Sequence, residues 1–213
     1  PTILYLHGFL SSPQSEKVRI LREAIEKENK SRAEDEQIKL IAPDLNHPPR
    51  CVDTLLSEIA ERVDLSDTAV IGSSLGGFWA TRFAKRYGVR AVLLNPCFDP
   101  WSFIPDFIGE QKVYGTERVV EVKPEFEKDF IELDREVPAQ ISTLQPVLTL
   151  ISLQDEVLPW RKTYEGAEGS ERLLLTGEDH RITGFADWVD RVLAFALGKV
   201  DMSALNVEML MSF

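Results

Sequence analysis

The chain has 213 residues, 44% of them hydrophobic, which suits one domain with a full core. A formal net charge of −11 argues against nucleic acid or an anionic membrane as the main partner, since both attract basic surfaces. Two cysteines, Cys51 and Cys97, make no disulfide framework, and no apolar stretch approaches the length of a membrane helix. The expectation is a soluble cytoplasmic protein without a signal peptide, because a first strand begins almost at Pro1.

Thr2-Ile3-Leu4-Tyr5-Leu6 reads as that opening strand and runs into His7-Gly8-Phe9. Ser12 followed by Pro13 predicts a helix start, and Val18, Leu21, Ala24 and Ile25 recur at helical spacing. Residues 26–36 are almost wholly polar and read as a solvated helix end and loop. A second strand over residues 38–42 ends in a turn-rich loop, and Val52, Leu55, Leu56, Ile59 and Val63 predict a second amphipathic helix. A strand over 68–71 and a helix over 78–87, stopped by Gly88, follow. Further strands are predicted at 91–94, broken by Asn95-Pro96, at 147–152 and at 172–175. Phe185, Trp188, Val189, Val192, Leu193 and Ala196 form a closing helix. This alternation predicts an α/β fold, a mainly parallel six-stranded sheet with right-handed crossovers and helices on both faces.

One segment breaks the pattern. Residues 97–145 are too long for a plain crossover and carry Phe98, Trp101, Phe103, Phe107, Tyr114, Phe126 and Phe130 among many charges. They read as a small cap whose Trp101, Phe103 and Phe107 wall a substrate pocket, or as a helical insertion whose aromatics fill its own core. The expected organisation is a single domain over 1–198 with that insertion, followed by a tail, 199–213, without partner pattern.

Val70-Ile71-Gly72-Ser73-Ser74-Leu75-Gly76-Gly77 contains Gly-x-Ser-x-Gly between the third strand and its helix. Strand, sharp turn and helix are the context of a nucleophile elbow, the serine-bearing turn of α/β-hydrolases. Glycines on either side let strand and helix pass where a Cβ would clash. A serine hydroxyl is a poor nucleophile at neutral pH and needs a base, itself oriented by a carboxylate. Of three histidines, His180 follows the last strand, at the sheet edge that carries the elbow. His7 reads as a brace for its loop, and His47 as a rim residue. Asp155, at the end of the fifth strand, is the first choice of acid; Asp99 and Asp179 are alternatives, and either Asp155 or its neighbour Glu156 could instead cap a helix. Two backbone N–H groups, of Leu75 after the nucleophile and of Phe9 after the first strand, are the expected oxyanion donors.

The chain resembles the YqiA-type small bacterial esterases of the α/β-hydrolase superfamily. The stretches that carry the likeness are Leu4-Tyr5-Leu6-His7-Gly8-Phe9 with Ser11-Ser12-Pro13, Ile71 to Gly77, Asn95-Pro96, Asp155-Glu156-Val157-Leu158, and His180 with Thr183-Gly184-Phe185. The resemblance implies a serine hydrolase with Ser74, Asp155 and His180 as its triad, favouring short acyl esters or thioesters. The expected activity is therefore hydrolysis of a small carboxylic ester or thioester through an acyl-enzyme. The same triad could serve C–C bond hydrolysis or an elimination, and the fold could serve a non-catalytic small-molecule binder. No His-Glu-x-x-His, clustered zinc ligands, Gly-x-x-x-x-Gly-Lys or Gly-x-Gly-x-x-Gly occurs, so no metal or cofactor is expected.

Overall fold

The computed structural model describes residues 1–138 and 145–199. Six strands form one parallel sheet: β1 (Thr2–Leu6), β2 (Lys39–Ile41), β3 (Thr68–Ser73), β4 (Arg90–Leu94), β7 (Val147–Ser152) and β8 (Glu171–Leu175). Their order is β2-β1-β3-β4-β7-β8. After β1 the chain turns back to build β2 on one side; after β3 it builds outward on the other. The order therefore reverses between β1 and β3, which pair in register from Thr2–Thr68 to Leu6–Gly72. In open parallel sheets the crevice at such a reversal, beyond the strands' C-terminal ends, is where ligands are bound.

Both sheet faces are covered, which is why the central strands are apolar without alternation. On one face Ile3, Tyr5 and Ile71 pack with Val18 and Leu21 of α1 (Glu16–Asn29) and Phe185 and Val192 of α6 (Phe185–Ala196). On the other, Leu4, Leu6 and Val70 pack with Val52 and Leu56 of α2 (Pro49–Arg62) and Trp79 and Phe83 of α3 (Leu75–Tyr87). Helix α1 starts later than the sequence predicts. The Ser12 side chain accepts from the Gln14 N–H and its carbonyl from the Ser15 N–H, so Ser12 closes a turn and α1 begins only at Glu16. Helix α2 starts upstream of Val52, with Pro49 in its first turn, where a missing N–H costs nothing.

The insertion between β4 and β7 holds two short 3-10 turns (Pro100–Ser102 and Ile104–Phe107), an antiparallel hairpin of β5 (Gly109–Lys112) and β6 (Val119–Val122), and α4 (Glu125–Arg135). The sequence does not announce this hairpin: β5 reads Gly-Glu-Gln-Lys and lacks the β-branched alternation that marks a strand. Val122, Phe126 and Phe130 join the core built on α2 and α3. The buried Arg82 guanidinium of α3 clamps α4 there, bonding Asp53 of α2 at 2.8 Å and Glu136 just past α4 at 2.8 Å. The hairpin is tied down by Tyr114 N–H to Leu10 O (2.9 Å) and by the Arg118–Asp44 ion pair. The insertion thus lies on the loops that leave β1 and β2. Residues 139–144 of it, and the tail from residue 200, fall outside the described residues. Helix α5 (Trp160–Gly166) completes the order. Among the described residues no helix is long and apolar enough to cross a membrane.

Candidate active site

Ser74 sits between β3 and α3 with φ 55° and ψ −118°, a left-handed backbone held in place by its surroundings. Its N–H donates to Leu94 O (3.0 Å), and its carbonyl accepts from Gly77 N–H (2.8 Å) and Cys97 N–H (2.9 Å). The turn works only without side chains beside it. A Cβ on Gly72 would lie 2.1 Å from Gly76 O, and one on Gly76 would lie 1.9 Å from Leu6 O. Helix α3 therefore starts at Leu75, three residues earlier than hydrophobic periodicity predicts.

His180 Nε2 lies 3.0 Å from Ser74 Oγ, and His180 Nδ1 lies 2.8 Å from Asp155 Oδ2. The Asp155 side chain is 2% exposed. Its other oxygen accepts the N–H groups of Val157 (2.9 Å) and Leu158 (2.7 Å), so the loop itself fixes the carboxylate. A carboxylate at Nδ1 holds the ring proton there and leaves Nε2 free to accept from a serine hydroxyl. The alternative acids are engaged elsewhere. Asp99 pairs with Lys162 at 2.5 Å, and Asp179 accepts both the N–H (2.9 Å) and the hydroxyl (2.8 Å) of Thr183. Glu156 caps no helix; its carboxylate accepts the His180 N–H at 3.0 Å.

Asn95, which the sequence marks as a strand breaker and as part of the family likeness, has a role in the site that no local pattern announces. It is 1% exposed, with φ 42°, a region Asn tolerates better than most residues. Its Nδ2 donates to Ser152 Oγ (2.8 Å) and His180 O (2.9 Å), and its Oδ1 accepts from Ser152 N–H (2.8 Å). It thereby ties the end of β4 to the end of β7 and to the His180 loop. Lys17 of α1 adds a second tie, from its Nζ to Arg181 O. Burial pushes this amine down to about 8, against the pull of the nearby Asp179 charge.

On the β1 side, Gly8 brings bare backbone against the elbow: a Cβ there would lie 3.3 Å from Ser74 Cβ. His7 Nδ1 donates to Gly8 O (2.8 Å), and His7 Nε2 accepts from Leu45 N–H (2.9 Å), so the buried ring is neutral. Holding the Gly8 carbonyl sets the trans Gly8–Phe9 peptide, whose N–H points the opposite way. The loop-bracing role expected of His7 is thus seen in detail. His47, 45% exposed, stays at the rim.

Burial pushes the His7 pKa below its ordinary value, against the Gly8 carbonyl and Asp44, which raise it. The unfolded ring, near 6.5, therefore takes up protons that the folded ring resists. Its share of the stability is fully present above about pH 6.5 and is lost as pH falls below that value. The melting temperature should drop less steeply from pH 7 to pH 5 in His7→Gln than in the parent chain; parallel slopes would contradict this account.

A cavity of about 1660 Å³ opens over Ser74 and His180, and Trp101, Phe103 and Phe107 all line it. Phe9 joins that wall, its ring centroid 5.4 Å from Phe103 and 5.2 Å from Phe107 in edge-to-face contact. The sequence marks only the Phe9 backbone N–H, so the ring's place in the wall emerges from the fold alone. Among the described residues no group of three or more His, Cys, Asp or Glu could hold a metal ion.

The family described as "Uncharacterised protein family (UPF0227)" matches residues 2–197. The chain belongs to the UPF0227 family. A UPF0227 protein of Shewanella woodyi is 35% identical over 103 residues, covering 46% of this chain and 52% of that protein, so the chain spans about half the length of that relative. YcfP of Escherichia coli is 24% identical over 197 residues, 91% of this chain and 97% of YcfP. The likeness drawn from the sequence motifs is borne out at the level of this family. Solved α/β-hydrolase structures match over nine tenths of the chain. One is the carboxylesterase CesB of Bacillus subtilis, with TM-score 0.58 and 16% identity over 94% of this chain and 85% of CesB. The fold is that of the α/β-hydrolases.

Proposed function

We propose that this UPF0227 member is a serine hydrolase that cleaves a carboxylic ester or thioester through an acyl-enzyme. The observation that carries the reading is the continuous relay from Ser74 Oγ through His180 to Asp155, at the tip of an elbow and at the floor of a cavity. In this reading Ser74 Oγ attacks the carbonyl carbon while its proton passes to His180 Nε2. Asp155 stabilises the imidazolium. The carbonyl oxygen gains charge and is met by the N–H groups of Phe9 and Leu75; the latter opens α3 and has no intrahelical acceptor. His180 then gives its proton to the departing alkoxide or thiolate as the carbon–oxygen or carbon–sulfur bond breaks. Water, deprotonated by the same ring, releases the acid and restores Ser74.

Trp101, Phe103 and Phe107 serve as pocket wall in this reading, and the substrate is a small molecule, not a nucleic acid or a membrane. Two free cysteines, Cys51 and Cys97, support a reducing cytoplasmic location. The test is a panel of p-nitrophenyl esters, acyl thioesters and β-diketones. Turnover of esters or thioesters with none of the diketones is expected. Turnover of diketones alone would move the reaction to C–C cleavage, and a folded protein that turns over nothing and takes no fluorophosphonate would be a binder.

A further inference from the structure

A second cavity of about 200 Å³ lies on the far side of the loop after β1. Its apolar lining comes from Leu75 and Trp79 of α3, Val52 of α2, and Ile104, Val122 and Phe130 of the insertion, and exposed His47, Pro48 and Glu121 also border it where it meets solvent. Five of these six apolar side chains are at most 4% exposed, and Leu75 is 9% exposed. Gly8 and Phe9 line both cavities, whereas Ser74 and His180 line only the larger one. The smaller cavity therefore opens beside the Phe9 and Leu75 backbone and away from the His180 ring.

That asymmetry sorts the two halves of a substrate. A leaving group must take its proton from His180 Nε2, so it lies on the His180 side, in the larger cavity. The carbonyl oxygen turns to the Phe9 and Leu75 N–H groups. The remaining substituent, the acyl chain, has the smaller apolar space beside those donors. Resting on the hydrolase reading above, we propose that this second cavity is the acyl site. An apolar cavity of about 150 Å³ stays dry and holds a benzene ring, so this one suits about six to eight carbons. The substrate class is then an ester or thioester of an apolar acid of about that size. Trp101, Phe103 and Phe107 face the alcohol or thiol instead.

The experiment is kcat/KM for p-nitrophenyl acetate, butyrate, hexanoate, octanoate and dodecanoate. Burial of each methylene should raise it about three- to fourfold up to hexanoate or octanoate, with no further rise at dodecanoate. Val122→Phe and Ile104→Phe, which fill the cavity, should lower the octanoate-to-acetate ratio at least tenfold. Val52→Ala, which widens it, should move the preference to longer chains. Phe103→Ala should alter selectivity among alcohol groups at constant acyl length. A wild-type series flat from acetate to octanoate would overturn the assignment even if every filled variant failed to fold, as would cavity variants that fold and keep the wild-type ratio. In either case hydrolysis through Ser74 would stand. Absence of any ester or thioester turnover, together with no phosphonate adduct on Ser74, would instead remove the hydrolase reading itself.

Discussion

Ser74→Ala should lower kcat for ester hydrolysis by around 10⁶, to the background of a protein that still binds substrate. The size follows from the geometry. Ser74 Oγ is the group 3.0 Å from His180 Nε2, and removing it leaves the base with nothing to activate but water. Neighbouring Ser73 gives no rescue, because it is the last residue of β3 and only Ser74 has the outward turn with positive φ. Folding should survive, since the bonds that hold the turn use the Ser74 backbone. The measurement is kcat for the best ester of the panel in wild type and variant, with melting curves to show that both are folded. Retained turnover in the alanine variant would move the nucleophile elsewhere.

Asp155→Asn should cost about 10⁴ in kcat, and the structure gives a specific reason. Asp155 Oδ1 accepts two backbone N–H groups, of Val157 and Leu158. An asparagine there keeps its carbonyl oxygen on those donors and must turn its NH₂ toward His180 Nδ1. That nitrogen then has to accept, the ring proton moves to Nε2, and Ser74 faces a donor instead of a base. Asp99→Asn, which loses only a pairing with Lys162, should change activity far less. The opposite ranking would transfer the acid role to Asp99.

The parts of the molecule that were legible in the sequence share a physical cause. Strands buried on both faces must be apolar throughout, so β3, β4 and β7 stood out; the elbow allows no Cβ at Gly72 or Gly76, so it announced itself in glycine. Given parallel strands, Ser74, Asp155 and His180 all had to end at one edge. What escaped is held by contacts distant in sequence. The bonds of Asn95 to Ser152 and His180 span 57 and 85 residues, and no local pattern encodes them. In the hairpin β5 reads Gly-Glu-Gln-Lys and β6 Val-Val-Glu-Val, four residues each and partly facing solvent, so neither carries a hydrophobic alternation long enough to reveal it. The smaller cavity is lined by side chains from α2, α3, the insertion and the loops after β1 and β2, and exists only once those elements pack.

The most direct test of Ser74 as an activated nucleophile is mass mapping after treatment with a fluorophosphonate. Trypsin releases residues 63–82, a peptide that carries Ser66, Ser73 and Ser74, and fragmentation separates the three. The expected result is one phosphonyl group per chain, on Ser74, formed rapidly in the wild type and far more slowly in His180→Ala. A folded wild-type protein that takes up no phosphonate, or takes it up on Ser73 or Ser66, would contradict the account.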